Sequence, residues 1–407
     1  MADTEKLAAV RAALPSLAAG IQMNTGSVGP MPAEVAAVMT ELAEYERTIG
    51  RSQFDYYLEL LDRMQEARAG VAAVLGASLG SVALTHSTTD GMNIGTWSLD
   101  WRAGEIAVST VQEHAGALGP LYALRDRFGV ELRFAEIGDG SDDDRTMAAF
   151  DQAIVRGTKL VSLSHVLWST GAVLPVARIA ALAHDRGAMV LADGAQAAGA
   201  IRFSVGDLGV DGYSTPAQKW LLGPEGMGAV WVDPAAMDRM HPTFAGHFSL
   251  ESNDARGAAV WHPDARRFEG SGWHRPSVAG LARAVSWLSM YVGLDFVYGR
   301  GVRMARRAAD ALSEIEGVEL LTPRHQMATL VTFRIRGWDA QAGLDELEAR
   351  TGLIARTIVA LDAIRISIGF FTTEEELERV LDGVRLLAGH TPDLLPPRRT
   401  LPIFGEG

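Results

Sequence analysis

Between about residue 80 and residue 232, short apolar or β-branched runs alternate with longer segments whose apolar residues recur every three or four positions. The runs are VALTHS (82–87), EIAVST (105–110), ELRFAEI (131–137), KLVSLSHV (159–166), AMVLAD (188–193), VDGYST (210–215) and GAVWV (228–232). Near-continuous apolar strands suit a sheet buried on both faces, and HAGALGPLYALRDRFG and VARIAALAHDRG supply amphipathic helices between them. The alternation predicts an α/β fold, a mainly parallel seven-stranded sheet sandwiched by helices. Ligands of such sheets bind beyond the carboxyl ends of the strands, so chemistry is sought there. After about residue 275 the texture changes: helical stretches at 278–292 and 302–315 precede VELL, ATLVTFRIR, GLIARTIVA and IRISIG, interleaved with DAQAGLDELEAR and TTEEELERVLDGVRLL. This reads as a smaller α+β domain. We expect a large domain over 20–270, a small domain built from 1–19 and 271–390 because chain ends often dock in one lobe, and a Pro-rich irregular tail at 391–407.

Composition narrows the function. Of 407 residues, 48% are hydrophobic and 21% charged, as in ordinary globular proteins. The net charge is −13 and no run of five Lys and Arg occurs, which argues against general nucleic-acid binding while leaving room for a small anionic ligand. No apolar stretch reaches about 18 residues without a charge or breaker, and the opening MADTEKLAAVRAALPSL has no signal-like apolar block; a cytoplasmic protein without membrane contact is expected. Cysteine is absent, which removes disulfides, Cys-ligated metals and any thiolate or persulfide relay. No metal site is expected.

Five segments carry candidate chemistry, at strand ends or on a predicted small-domain strand. Lys219, in STPAQKWLLGPEGMGAVWV, is flanked by Trp220, Leu221 and Leu222; desolvation there lowers an amine's pKa and frees it to attack a carbonyl, although a lysine reaching out to solvent would look the same. Asp193 and Gln196, in VLADGAQAAGAI, follow an apolar strand, where a buried carboxylate can pair with a pyridinium N–H or simply make an Asp-Gly turn. In LTHSTTDGMNIG, Thr88, Thr89 and the amides opening the next helix could hold a phosphate, or the segment could be a plain helix cap. His114, just past EIAVST, could stack on a ring or be structural, and Arg365, in IRISIGFFTTEEEL, could take a carboxylate with both arms of its guanidinium or pair with a nearby acid. GPEGMG (223–228) is not a dinucleotide fingerprint, because its order is GxxGxG and it leads into a strand.

In combination, VLADGAQAAGAI, QKWLLGPEGMGAVWV, RFEGSGWHRPSVAGL and RISIGFFTTEEEL resemble the class V aminotransferase family of fold-type-I enzymes dependent on pyridoxal 5'-phosphate (PLP), in particular its isopenicillin N epimerase-like branch. The resemblance runs from MNTGSVGPMPAEV (23–35) to the TTEEEL helix. It implies that Lys219 forms the Schiff base, Asp193 meets the pyridinium, Gln196 bonds the cofactor's O3', His114 stacks on the ring, and Thr88 and Thr89 hold the phosphate. It further implies that Arg365 clamps the substrate carboxylate, that Asn24 in MNTGSVGP borders the substrate, and that the chain is a homodimer in which Ser271 or its backbone reaches the partner's phosphate. Compared with the related cysteine desulfurases, His165 stands where they place Asn against the cofactor, Gln218 where they have His, and Pro216 where they have a phosphate-binding Ser, with Gln218 and Thr215 as substitutes.

The implied chemistry is proton removal at the α-carbon of a small amino-acid substrate by Lys219. Epimerisation is the first expectation, with His165 as the candidate acid opposite Lys219; β-elimination from a cysteine-type substrate (a C–S lyase) and transamination are the alternatives. A non-catalytic binding protein that kept the fold would show no effect of Lys219→Ala. Trp168, Trp273 and His274 lie beside the site segments and either wall the pocket or belong to the core.

Overall fold

The computed structural model describes residues 3–398, so part of the tail expected at 391–407 lies outside the described residues. The chain opens with α1 (Asp3–Ala12), β1 (Ile21–Gln22), α2 (Ala33–Thr48) and α3 (Phe54–Leu75). The alternating region follows as β2 (Val82–Thr85), α4 (Thr88–Trp97), β3 (Ile106–Ser109), α5 (Ala115–Phe128), β4 (Glu131–Phe134), α6 (Asp143–Ala153), β5 (Thr158–Ser164), α7 (Val176–Asp185), β6 (Met189–Asp193), β7 (Gly212–Pro216) and β8 (Gly228–Val232). Next come the hairpin β9 (Leu250–Asn253) and β10 (Ala259–Trp261), then α8 (Arg275–Ser286), α9 (Leu294–Ser313), β11 (Val318–Leu320), β12 (Leu330–Ile335), α10 (Ala340–Thr351), β13 (Leu353–Ile354), β14 (Arg356–Ile358), β15 (Ala363–Ser367) and α11 (Glu374–Ala388).

The seven apolar runs form one sheet in the order β2-β8-β7-β6-β5-β3-β4, parallel except for β8, which is antiparallel to both neighbours. Every residue of β2, β3, β6, β7 and β8 is buried, as a sheet covered on both faces requires. A second sheet, β11-β12-β15-β14, is antiparallel and carries α9, α10 and α11 on it. Local signals set the helix ends: Ser87 caps α4 by accepting from the Asp90 N–H, and Thr373 and Glu376 form a capping box on α11.

The two cores do not divide at residue 270. Helix α8, placed with the small domain by its position in the chain, puts Val278, Leu281 and Val285 into one cluster with Leu60, Met64 and Val71 of α3. The α1 segment, also expected there, buries Val10, Leu14 and Leu17 in that same cluster, while Arg11 bonds Glu376 at 2.6 Å and the Phe371 carbonyl at 2.8 Å. An apolar helical stripe says that a helix is buried, not against which core, and here it completes the layer over α2 and α3. The small-domain core proper begins with Met304 of α9 and runs through β12, β15 and α11, with Ile21 of β1 and Met23 just after it joining.

Candidate active site

Strands β5, β6 and β7, the N-terminus of α4 and the small-domain strands β14 and β15 converge on a partly open cavity of about 270 Å³. Its lining includes Thr88, Thr89, His114, Asp193, Gln196, Gln218, Lys219 and Arg365, brought together from five separate segments of the chain.

Lys219 sits in the turn between β7 and β8. That turn is locked by Ala217 N–H to Met227 O at 2.9 Å, Gly223 N–H to Ala217 O at 2.9 Å and Leu222 N–H to Lys219 O at 3.2 Å. The MNTGSVGP loop closes over it: Gly29 donates to Gln218 O at 2.7 Å, and a Cβ at Gly29 would lie 2.4 Å from the Lys219 carbonyl, so only glycine allows the approach. Burial pulls the amine down to about 8; the charge of Asp193 opposes this, and Arg365 and Arg356 push the same way as burial.

Asp193 ends β6 with its carboxylate buried and one oxygen accepting the Ala195 N–H at 2.9 Å. Burial raises its pKa, while Lys219 and His114 act against that. Gln196 donates to Gly26 O at 2.9 Å and accepts from the Trp220 indole at 3.0 Å, leaving one amide hydrogen for a ligand. Thr88 and Thr89 open α4, whose first N–H groups face the cavity end of the helix; the Thr88 hydroxyl is buried without a partner. Gly91 lets α4 lie on β7, since a Cβ there would meet the Ser214 hydroxyl at 2.1 Å. His114 caps α5 by accepting the Gly116 N–H at 3.1 Å and meets Trp168 edge-on at 5.6 Å.

Arg365, on β15, is 1% exposed; it donates to Trp168 O at 2.7 Å and to the Ser27 hydroxyl at 3.3 Å, and its Nε has no partner. Burial and the neighbouring Arg356 lower it to about 9. Arg356 is the register partner of Arg365 across β14 and β15 and also lines the cavity, a position not singled out from sequence. Neither guanidinium is paired with a carboxylate among the described residues. Like charges facing each other across a ladder are unfavourable, and an anionic ligand between them relieves the repulsion.

Several expected residues lie elsewhere. The His165 side chain turns into the core, with Nδ1 3.0 Å from the Tyr213 hydroxyl and its ring edge-on to Phe203, and burial lowers it to about 4; its neighbours Ser164, Val166 and Trp168 line the cavity instead. It is therefore not placed opposite Lys219. Asn24 bridges to Ser367 with its side-chain oxygen buried, and Gly26 and Ser27 take the lining position. Of the two substitutes for the missing Ser at Pro216, Gln218 lines the cavity, whereas Thr215 is buried outside the lining. Ser271 is solvent-exposed beside a separate cavity that it shares with His86 and Trp273, where the imidazole stacks on the indole at 4.6 Å. His274 is bonded to Ser277 at the start of α8. Missed from sequence, besides Arg356, was Glu113, a buried acid bonded to Ser164 and hidden beside the more conspicuous His114.

The donor set fits PLP: a buried lysine amine for its aldehyde, a buried carboxylate for its ring nitrogen, and an orphaned hydroxyl at a helix N-terminus for its phosphate. Among the described residues no cluster of His, Cys, Asp or Glu is arranged to hold a metal ion, and no helix is long and apolar enough to cross a membrane.

Comparisons with known proteins agree with the geometry. A probable cysteine desulfurase of Methanothermobacter thermautotrophicus is 26% identical over 93% of this chain and 98% of its own length. The isopenicillin N epimerase of Streptomyces clavuligerus is 29% identical over 91% of this chain and 95% of its own. Among solved structures, a C-DES mutant with glycine covalently linked to the PLP cofactor superposes with a TM-score of 0.86 at 27% identity, covering 92% of this chain and 98% of that one. The cystine C–S lyase C-DES with its product cysteine persulfide gives 0.85 at 27% identity, covering 91% and 99%. The architecture is that of the fold-type-I PLP enzymes, and the Aminotransferase class-V family model matches residues 25–380. This chain is a PLP-dependent enzyme and belongs to the class-V aminotransferase family.

Proposed function

We propose that the enzyme is a lyase that eliminates a sulfur-linked β-substituent from a cysteine- or cystine-type amino acid without a thiol relay. The observation that carries this reading is the distribution of proton-transfer groups around the cavity. Epimerisation by two bases needs an acid across the α-carbon from Lys219, and the candidate for it, His165, is packed in the core. Were PLP bound with His114 covering its ring and Asp193 meeting its nitrogen, Lys219 would be left as the single base, which is what elimination requires. Bound PLP supplies the sink for the electron pair left at Cα. Lys219, neutral for a useful fraction of the time, takes the α-proton; Arg365 holds the α-carboxylate, and Arg356 beside it suits a second carboxylate such as that of a cystine-type disulfide. The likeness to a cystine C–S lyase supports the same substrate class.

We also read the assembly as a homodimer, supported by the exposure of Ser271 outside its own cavity. Incubation with an amino-acid panel, L-cysteine and L-cystine included, in deuterated water tests the activity. Pyruvate with released sulfide or persulfide is expected. Recovery of racemised, deuterated amino acid instead would establish epimerisation, the second reading, which the 29% identity to isopenicillin N epimerase favours.

A further inference from the structure

Glu113 is a buried acid that this chemistry does not use. It follows β3 and immediately precedes His114, and its side chain turns back into the fold. One carboxyl oxygen accepts from the Thr110 hydroxyl at 3.0 Å, and the other is bonded to the Ser164 hydroxyl at the end of β5. The Thr110 hydroxyl in turn accepts the Gln112 N–H at 3.1 Å, so the turn over 110–114 is closed on itself and pinned to the adjacent strand. Ser164 lines the cavity, and its register partner on β6 is Asp193. A carboxyl is expensive to bury, and burial pushes this one up to about 7 despite its hydroxyl partners. The hydrogen-bond and aromatic partners of the His114 ring are the Gly116 N–H and the edge of Trp168.

We propose that Glu113 is a positioning residue: by tying the turn that carries His114 to Ser164, it holds the imidazole over the cofactor site. Glu113 acts through His114 and touches neither substrate nor cofactor, so the proposal rests on the reading of His114 as the residue that covers the cofactor ring. The amide of a glutamine can accept from Thr110 and donate to Ser164, so the tether needs the shape and hydrogen bonds of the side chain and not its charge.

The test is the affinity of the apoprotein for PLP, titrated by absorbance, in Glu113→Ala, Glu113→Gln, His114→Ala and the Glu113→Ala/His114→Ala double variant. His114→Ala and Glu113→Ala are each expected to weaken binding about tenfold. The double variant should be no more than about twofold weaker than His114→Ala alone, because residues acting through one another are not additive. Glu113→Gln should stay within about threefold of wild type. An additive loss of about a hundredfold, a Glu113→Gln as weak as Glu113→Ala, or a Glu113→Ala that binds like wild type would each overturn the proposal. A His114→Ala without effect would overturn it too, and would place the failure in the reading of His114. If Glu113→Ala does not fold, Thr110→Val removes one end of the tether; a loss of about threefold at unchanged melting temperature is expected, and unchanged affinity overturns the claim.

Discussion

Burial of Lys219 should be visible as a displaced pH dependence of cofactor capture. An ordinary lysine titrates at 10.5, and the site brings this one to about 8. At pH 7 about one amine in ten is then neutral, against about one in three thousand for the ordinary side chain, an advantage of about 300-fold in the reactive form. Mixing apoprotein with PLP in a stopped-flow absorbance experiment between about pH 6 and about pH 10 reads this directly. The capture rate should rise about tenfold per pH unit up to about pH 8 and level off above it. Two substitutions move the bend in opposite senses: Asp193→Asn removes the charge that holds the amine's pKa up and shifts it to lower pH, whereas Arg365→Met removes a charge that pushes it down and shifts it to higher pH. The apoprotein carries the matching linkage. Because the folded pKa lies below the unfolded one, the unfolded chain binds more protons between about 8 and 10.5, so this residue's contribution to stability rises over that window and is lost as pH falls through about 8. A bend near the ordinary lysine value, or shifts of the reverse sign in the two variants, would refute the reasoning.

Glu269 accepts from Arg68 Nε at 2.7 Å and from the Leu84 N–H at 2.9 Å while fully buried, so Glu269→Ala leaves an uncompensated cation and should cost about 3–5 kcal/mol in urea unfolding, where a loss under about 1 kcal/mol contradicts the ion pair. Gly91→Ala forces α4 away from Ser214 on β7; a loss of about 1–3 kcal/mol, together with weakened PLP binding, is expected from melting and titration. Arg365→Lys should raise KM for an α-amino acid about 10- to 100-fold with PLP affinity kept, since an ammonium cannot reproduce the guanidinium's fork; an unchanged KM places the carboxylate elsewhere.

Much of the frame was readable from periodicity, because strands buried on both faces leave continuous apolar runs that helices interrupt. The direction of β8 was not, since the turn holding Lys219 has the same composition whether the next strand runs parallel or antiparallel. Lys219, Asp193, Gln196, Thr88, Thr89 and His114 sit at or just past element ends that open on one cavity, the position that strand ends predict, and Arg365 reaches the same cavity from the middle of β15. His165 failed by one residue: side chains alternate past the end of β5, so Ser164 and Val166 face the cavity and His165 faces the core, and no composition rule fixes that phase. Arg356 was illegible because its partnership with Arg365 is a matter of register between two strands. Glu113 was illegible because a buried acid and a surface acid look alike until the hydroxyls around it are placed.

The chain contains three lysines, Lys6, Lys159 and Lys219, which makes the attachment of PLP simple to map. Borohydride reduction of the purified holoenzyme followed by peptide mass spectrometry should place the reduced cofactor on the peptide bearing Lys219 and nowhere else. An unmodified Lys219 peptide, or the label on Lys6 or Lys159, would contradict the account at its centre.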